Sequence, residues 1–445
     1  MKQMKKILIF GAFLLLFTGC AKQLDEIRPK HAISSEAVSE ADLSKLTNGV
    51  LNKMENLTVS FWYDGDYHGE NLGIGPGGKL IEAHNALMSP SNSTSKSRWQ
   101  TGFVNLMHVN ELLKSANAAN PDSPATRQAK GTAYFFRAFI YYQLVTRFGG
   151  VPILKNTSME VVPISPESEV WGFIKSDLLE AEKYLDPVSN VYRPSDEACW
   201  ALLSKVCLWT GDKGGAVTYA DKVIAGGFSL GKTSEEFASM FVAGNSSKEV
   251  VFALANKRTS SFLRIFEQFN DTDGSWSYAV HEDLISTLFA DGYGVGDVRK
   301  APTQSSDRII KFPNGAQDGV QFIVNPEPSA SPIVLFRLAD VYLTKAEAQG
   351  AAEGLSTMKT FMDARYSSVS LPASMTDKEF QDLVLEENNR EFYAEGRRWF
   401  DIKRTGRIDL YKDFPANSEY LLRWPVPQDE IDLVGRDVYP QNKGY

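Results

Sequence analysis

Two short segments hold residue types that could grip a sugar. Phe61-Trp62-Tyr63-Asp64-Gly65-Asp66-Tyr67-His68 and Asn270-Asp271-Thr272-Asp273-Gly274-Ser275-Trp276-Ser277-Tyr278 both set aromatic rings among small polar side chains. A sugar presents apolar C–H faces and a rim of hydroxyls. Flat rings cover the former, and Asp, Asn and His hydrogen-bond the latter. The candidate ligand-binding residues are therefore Trp62, Tyr63, Asp64, Tyr67, His68, Asn270, Asp273, Trp276 and Tyr278. The competing reading is that Trp62 and Trp276 pack their own loops onto neighbouring helices.

Other motifs carry less. Gly73-Ile74-Gly75-Pro76-Gly77-Gly78-Lys79 has the letters of GxGxxG and nearly those of a phosphate loop. Leu80 replaces the magnesium-binding Ser/Thr and no apolar strand leads in, so the segment reads as a flexible loop. His281-Glu282 opens like a zinc-protease helix, but Ile285 stands where the second His is needed. Asp271-Thr272-Asp273-Gly274 is acidic and tight enough for calcium, yet no Glu completes an EF-hand loop. No cofactor is expected, and calcium at that acidic turn is the one alternative. Arg398-Trp399-Phe400-Asp401 resembles an active-site block. With Glu391, Glu395 and Arg398 four and three apart on one helix, it reads instead as a structural clasp. Glycoside hydrolysis needs two carboxylates converging on one cleft, and no pair stands out, so no enzyme is expected.

The elements that must position these residues are mostly helical. Apolar spacing predicts helices over 41–57, Trp99–Asn117, Thr126–Phe148, Glu169–Leu185, 197–210, 213–225, Val334–Gln349, Leu355–Arg365 and Asp377–Lys403. Ser195-Asp196-Glu197 signals a helix start, and Gly149-Gly150 before Pro152 a stop. Residues 58–97 read as a long aromatic loop region. Residues 228–332 read as a loop-rich insert with strand-like runs at Glu249–Leu254, Ile309–Phe312 and Gln321–Val324, and 405–445 as an irregular tail. The helix pairs at 195–228 and 334–366 have the tetratricopeptide length but are not in tandem. The predicted fold is mainly α: tetratricopeptide-like helix pairs form a scaffold, over 99–226 and 334–404, with large loop-rich inserts and a few short strands. Inserts on such a scaffold are where binding usually resides.

The chain has 445 residues, 43% hydrophobic and 23% charged, enough apolar side chain to bury a core. The net charge is −8, which argues against nucleic-acid binding. Lys2, Lys5 and Lys6 precede the apolar run Ile7–Phe17, which fits a signal peptide and is shorter than the ~20 residues of a spanning helix. Phe17-Thr18-Gly19-Cys20 resembles a bacterial lipobox, in which the Cys is acylated and becomes the new N-terminus. The expected organisation is a signal peptide at 1–19, a lipidated tether at 20–40 and a single domain at 41–445. Two or more acyl chains hold a protein on a bilayer stably. Cys199 and Cys207, eight residues apart on one predicted helix, lie about 12 Å apart along its axis. That exceeds the ~7 Å a disulfide tolerates, so they read as buried thiols.

Ordered blocks along the chain resemble the SusD/RagB-like outer-membrane lipoproteins of glycan uptake. These are Leu24-Asp25 with Pro29, Ala129–Ala138 leading to Tyr141-Tyr142 and Phe148-Gly149-Gly150-Val151-Pro152, and Arg193-Pro194-Ser195. Phe336–Tyr342 with Ala346-Glu347-Ala348 follows, then Asn389-Arg390-Glu391-Phe392, Glu395-Gly396, Arg398–Asp401 and Lys403–Gly406. Trp424-Pro425-Val426-Pro427-Gln428 closes the series. The chain departs from the family at Glu386-Glu387-Asn388, in the ending Gln441–Tyr445 and in shorter inserts. The resemblance implies a SusD-like α/α superhelix and a lipid-anchored, surface-facing outer-membrane location. It also implies capture of oligo- or polysaccharide without catalysis, and a SusC-like TonB-dependent transporter as partner. Two alternatives stay open: a tetratricopeptide-type protein-binding module, and a peptide-uptake lipoprotein. A glycosidase is the remoter one.

Overall fold

The computed structural model describes residues 38–78, 88–158, 160–244, 247–256, 269, 276–313, 320–326, 330–411 and 414–445. Cys20, Asn270 and Asp273 lie outside the described residues, as do the remaining stretches of the tether and of the acidic turn.

Local signals set most helix ends. Ser39 caps α1 (Glu40–Trp62) in a reciprocal box with Asp42, and Leu43, Val50, Met54 and Leu57 form its buried stripe. The short α2 follows at Asp64–His68. Asn92 accepts from the Thr94 and Ser95 amides to start α3 (Ser93–Ala118). Helix α4 (Pro124–Phe148) ends at Gly149, whose φ of 74° suits glycine. Then come α5 (Glu167–Glu182), α6 (Asp196–Trp209, capped by Ser195) and α7 (Lys213–Ile224). The second predicted helix pair is α8 (Leu338–Met362), broken at Gly350 with φ 72° and ψ −177°. Strand β6 (Ile333–Arg337) occupies what the periodicity assigned to the beginning of that helix. Helix α9 covers Asp377–Glu391 and α10 Arg398–Thr405.

These helices stack in order, α3 on α4, α4 on α5, α5 on α6, α6 on α7, then α7 on α8 and α8 on α9, with α1 against α3 and α4. The two tetratricopeptide-length pairs are thus neighbours in space although the insert separates them in sequence. Cys207, Ala216 and Ala348 share one small core across the junction, and Lys345 pairs with Asp221 at 2.6 Å. Both described cysteines are buried free thiols. Asn110, the polar residue on the apolar face of α3, accepts from Arg137 at 3.0 Å and donates to the Leu154 and Asn156 carbonyls. Arg137 also forks onto Asp177 at 2.7 and 2.8 Å, tying α3, α4 and α5 together.

The strands are few and short, in two-stranded antiparallel ribbons. In chain order they include β1 (Leu72–Ile74), β2 (Val250–Leu254), β3 (Tyr278–Val280), β4 (Gln304–Ser305) and β5 (Arg308–Ile309). β1 pairs with β3, β4 with β5, and β2 with β6, so that Leu254 lies opposite Ile333. No strand forms at 321–324. The architecture is the expected mainly α one. Among the described residues, no helix is long and apolar enough to cross a membrane.

The last predicted helix, Asp377–Lys403, is two helices. Ala394 (φ 63°) and Gly396 (φ 75°) turn the chain between α9 and α10, so Glu391, Glu395 and Arg398 do not share a helix face. Glu391 and Glu395 converge instead on Arg337 of β6. Glu391, 0% exposed, accepts from Arg299 at 2.9 Å, from Arg365 at 2.9 and 3.0 Å, and from Arg337. Glu249 bridges Arg365 and Arg337, and Glu387 takes Arg299 at 2.9 Å. The surrounding guanidiniums hold the Glu391 carboxyl well below the ordinary range despite its burial.

Candidate functional site

Residues 58–68 do not form the loop that their composition implied. α1 continues to Trp62, Tyr63 keeps a helical conformation, and α2 follows at once. The polar side chains of this run therefore point into the protein, where distant partners receive them. Asp64 accepts from Arg98 at 3.0 to 3.2 Å and from Arg147 Nε at 2.9 Å. Arg147, 1% exposed, lies among the Phe61, Phe400 and Trp424 rings and also donates to the Phe61 carbonyl. Burial pulls its guanidinium down to about 10, and Asp64 opposes that. His68, 1% exposed, stacks 5.1 Å from Trp424, and Tyr67 is equally enclosed. Trp62 donates from Nε1 to the Ala394 carbonyl at 3.1 Å. Gly65 is required here: a Cβ would stand 1.9 Å from the Gly396 carbonyl oxygen. The α2 turn and the α9–α10 turn thus touch backbone to backbone.

Asp66 accepts from Asn71 Nδ2 at 2.9 Å and from the Gly396 amide, and burial raises its carboxyl to about 6. A carboxyl that is easier to protonate folded than unfolded contributes stability below pH 4, which is lost as pH rises through 6. In urea titrations, wild type is expected to lose on the order of 2 kcal/mol relative to Asp66→Asn between pH 4 and 6.5. A difference that stays flat across that window would contradict the assignment.

The second aromatic segment behaves differently. β3 lays Tyr278 against Tyr63 (centroids 5.0 Å), Tyr67 (5.3 Å) and Phe269 (5.7 Å). Tyr63 and Tyr278 stay half-buried, and Ile74, opposite Tyr278 in the ribbon, is 45% exposed. Trp276 lies one turn away, also half-buried, with the Arg308 guanidinium 4.6 Å from its ring centroid. The glycine-rich segment is its cradle. Gly77 N–H donates to the Trp276 carbonyl at 3.0 Å, and a Cβ on Gly75 would come within 2.6 Å of the indole. The stretch expected to be a flexible phosphate-like loop is thus, over residues 72–78, a strand and turn fixed to 276–280.

The candidates consequently divide. Trp62, Asp64, Tyr67 and His68 are enclosed by the core, while Tyr63 and Tyr278 form a half-buried ring pair at the β1–β3 ribbon and Trp276, two residues before Tyr278, lies half-buried against Gly75 and Arg308. Ile74 stands with the ring pair and Arg308 with Trp276. No local sequence signal marks Arg308, since β5 brings it there from the far side of a separate ribbon. These half-buried groups offer flat apolar faces and a guanidinium, which suit a ligand with both C–H faces and hydroxyls. Among the described residues, no three potential metal ligands lie together.

Two family models match: "Starch-binding associating with outer membrane" over residues 22–208, and "SusD family" over residues 287–445. The chain belongs to the SusD/RagB family. A SusD-like protein of Formosa agariphila is 26% identical, covering 99% of this chain and all of its own length. The starch-binding protein SusD of Bacteroides thetaiotaomicron is 24% identical over 73% of this chain and 74% of its own. The solved structure of a laminarin-binding SusD-like protein superposes with a TM-score of 0.72 at 20% identity, covering 92% of this chain and 100% of that one. The helical stack described above is thus the SusD fold, and Asn389–Phe392 and Arg398–Asp401, prominent in the SusD/RagB resemblance, build its buried charge network and the α10 anchor.

Proposed function

We propose that this chain is a non-catalytic, cell-surface lipoprotein, anchored to the outer membrane through acylated Cys20. In this reading it captures oligo- or polysaccharide and passes it to a SusC-like TonB-dependent transporter. The observation that carries the reading is the half-buried pair of Tyr63 and Tyr278 at the β1–β3 ribbon, with half-buried Trp276 two residues away against Arg308, in a family whose members include starch- and laminarin-binding proteins. Rings fixed by a ribbon lose little freedom on binding, which favours capture with quick release. The lipobox-like end at Cys20 supports the anchor.

Calorimetry on the chain beginning after Cys20, against plant, host and microbial oligosaccharides, tests the ligand. Saturable binding is expected, with the sugar recovered intact, and Trp276→Ala should weaken it at least about tenfold. Shortened sugar would overturn the non-catalytic reading. Peptide binding without sugar binding, or full affinity in both Trp276→Ala and Tyr278→Ala, would overturn the glycan site.

A further inference from the structure

Upstream of Tyr63, α1 borders a cleft of about 540 Å³, within the range of roughly 300–1,000 Å³ that takes a small ligand. Its other walls include the Asn190–Arg193 turn before α6 and the chain leaving β2 at Leu254. Asn52 in this wall precedes Tyr63 by eleven residues, about 16 Å along the helix. None of the described residues that line the cleft belongs to the β1–β3 ribbon.

The turn is fixed without any ligand. Asn190 Oδ1 accepts from the Tyr192 amide at 2.9 Å, the Arg193 amide donates to the Asn190 carbonyl at 3.1 Å, and the Ala253 amide of β2 donates to the Val191 carbonyl at 2.9 Å. Arg193 Nη2 donates to Asn48 Oδ1 at 2.8 Å, and among the described residues its guanidinium has no other hydrogen bond and no ion pair. These bonds decide what the cleft offers. Asn48 and Asn190 have committed their carbonyl oxygens to N–H donors, which leaves each its NH2 group, a donor only. Arg193 keeps further N–H groups and an uncompensated positive charge. Asn48, Asn52 and Asn190 are exposed and Arg193 and Tyr192 half-buried, so a guest can reach all of them. Glu55, the acid in the wall, is 4% exposed and already engaged. The free groups are thus mainly donors around one cation, in a chain whose net charge is −8. Such a cleft favours an acceptor-rich ligand with a carboxylate on the guanidinium, while the net charge disfavours a densely anionic chain.

We propose that this cleft is a second binding site, taking a saccharide that carries a carboxylate, as a uronic-acid unit does. The carboxylate lies on Arg193, the sugar hydroxyls meet Asn48, Asn52 and Asn190, and a C–H face lies against Tyr192. That the ligand is a saccharide rests on the glycan-capture reading; that it carries a carboxylate rests on the cleft alone.

Calorimetry on the chain beginning after Cys20 tests this, with digalacturonate, dimannuronate and glucuronosyl-xylose set against digalactose, mannobiose and xylobiose. At least one acidic disaccharide should saturate, weaken as salt rises, and bind about tenfold or more tightly than its neutral counterpart. Asn48→Asp keeps the contact to Arg193 but turns it into an ion pair, and should weaken that binding at least about tenfold. Asn190→Asp keeps the acceptor for the Tyr192 amide, replaces the donor by a carboxylate oxygen, and should act in the same direction. Both changes are nearly isosteric, so the fold is kept, and Arg193→Gln is the independent check. Trp276→Ala should leave this binding unchanged, so failure of either site is seen separately. The proposal is overturned if no acidic disaccharide saturates, if the neutral counterparts bind as tightly, or if the Asn48, Asn190 and Arg193 variants all keep wild-type affinity. Acidic-sugar binding lost in Trp276→Ala, or a glutamyl-glutamate dipeptide bound as tightly as the best sugar, would overturn it as well.

Discussion

Glu391→Ala is expected to leave the chain unfolded or close to it at 25 °C. The carboxylate it removes is fully buried and serves Arg299, Arg337 and Arg365 together. Losing one partner of a buried ion pair costs about 3–5 kcal/mol, because the remaining charge stays desolvated. Here three guanidiniums lose a shared partner at once, so the loss should lie at or above the top of that range. That is a large fraction of the roughly 5–15 kcal/mol that holds a domain folded. Glu391→Gln keeps the shape and some acceptors and should be intermediate. Urea unfolding followed by circular dichroism checks both. Near wild-type midpoints for Glu391→Ala would mean that Glu249 and Glu387 already neutralise the cluster without it.

Asp64→Ala is the second large effect, expected at about 3 kcal/mol. It strands Arg147, whose nearest surroundings otherwise are rings and the carbonyls of Phe61 and Gln143. The same experiment separates packing from binding at a residue whose type suits sugar recognition. The variant should lose stability while its folded fraction keeps the ligand affinity of wild type. Lost affinity at unchanged stability would instead place Asp64 at a ligand.

The scaffold was largely legible in the sequence, because its signals are local. α4, α5, α6 and α7 each start and stop within two or three residues of the positions their caps, glycines and apolar spacing indicate. The stretch around 58–68 was misleading for the opposite reason. Asp64, Asp66 and His68 look like solvent-facing loop residues, yet their partners come from Arg147, Gly396 and Trp424, far along the chain. A buried charge whose counterpart lies on another element leaves no trace in local periodicity. The α9–α10 break failed likewise. Glu391, Glu395 and Arg398 have helical spacing, but Gly396 at φ 75° sits between them because it must fit against Gly65 and the Trp62 carbonyl. At the candidate site, residue type pointed to Trp276 and Tyr278, whereas only the paired strands show that Ile74 and Arg308 stand beside them.

The β2–β6 pair sets Leu254 opposite Ile333, so the 78 residues of 255–332 begin and end side by side, and Arg299 and Lys311 tie the described part between them back to Glu387, Glu391 and Glu395. Closing a loop costs only about 0.6 kcal/mol more for each doubling of its length. Length alone therefore restrains this segment little, but any exchange that keeps the stack must keep Arg299 on Glu387 and Glu391 and Lys311 on Glu395. Trp276, Tyr278 and Arg308 travel with the segment. If the proposed glycan surface is the binding site, grafting 255–332 between relatives with Arg299 and Lys311 retained should transplant ligand preference with the segment.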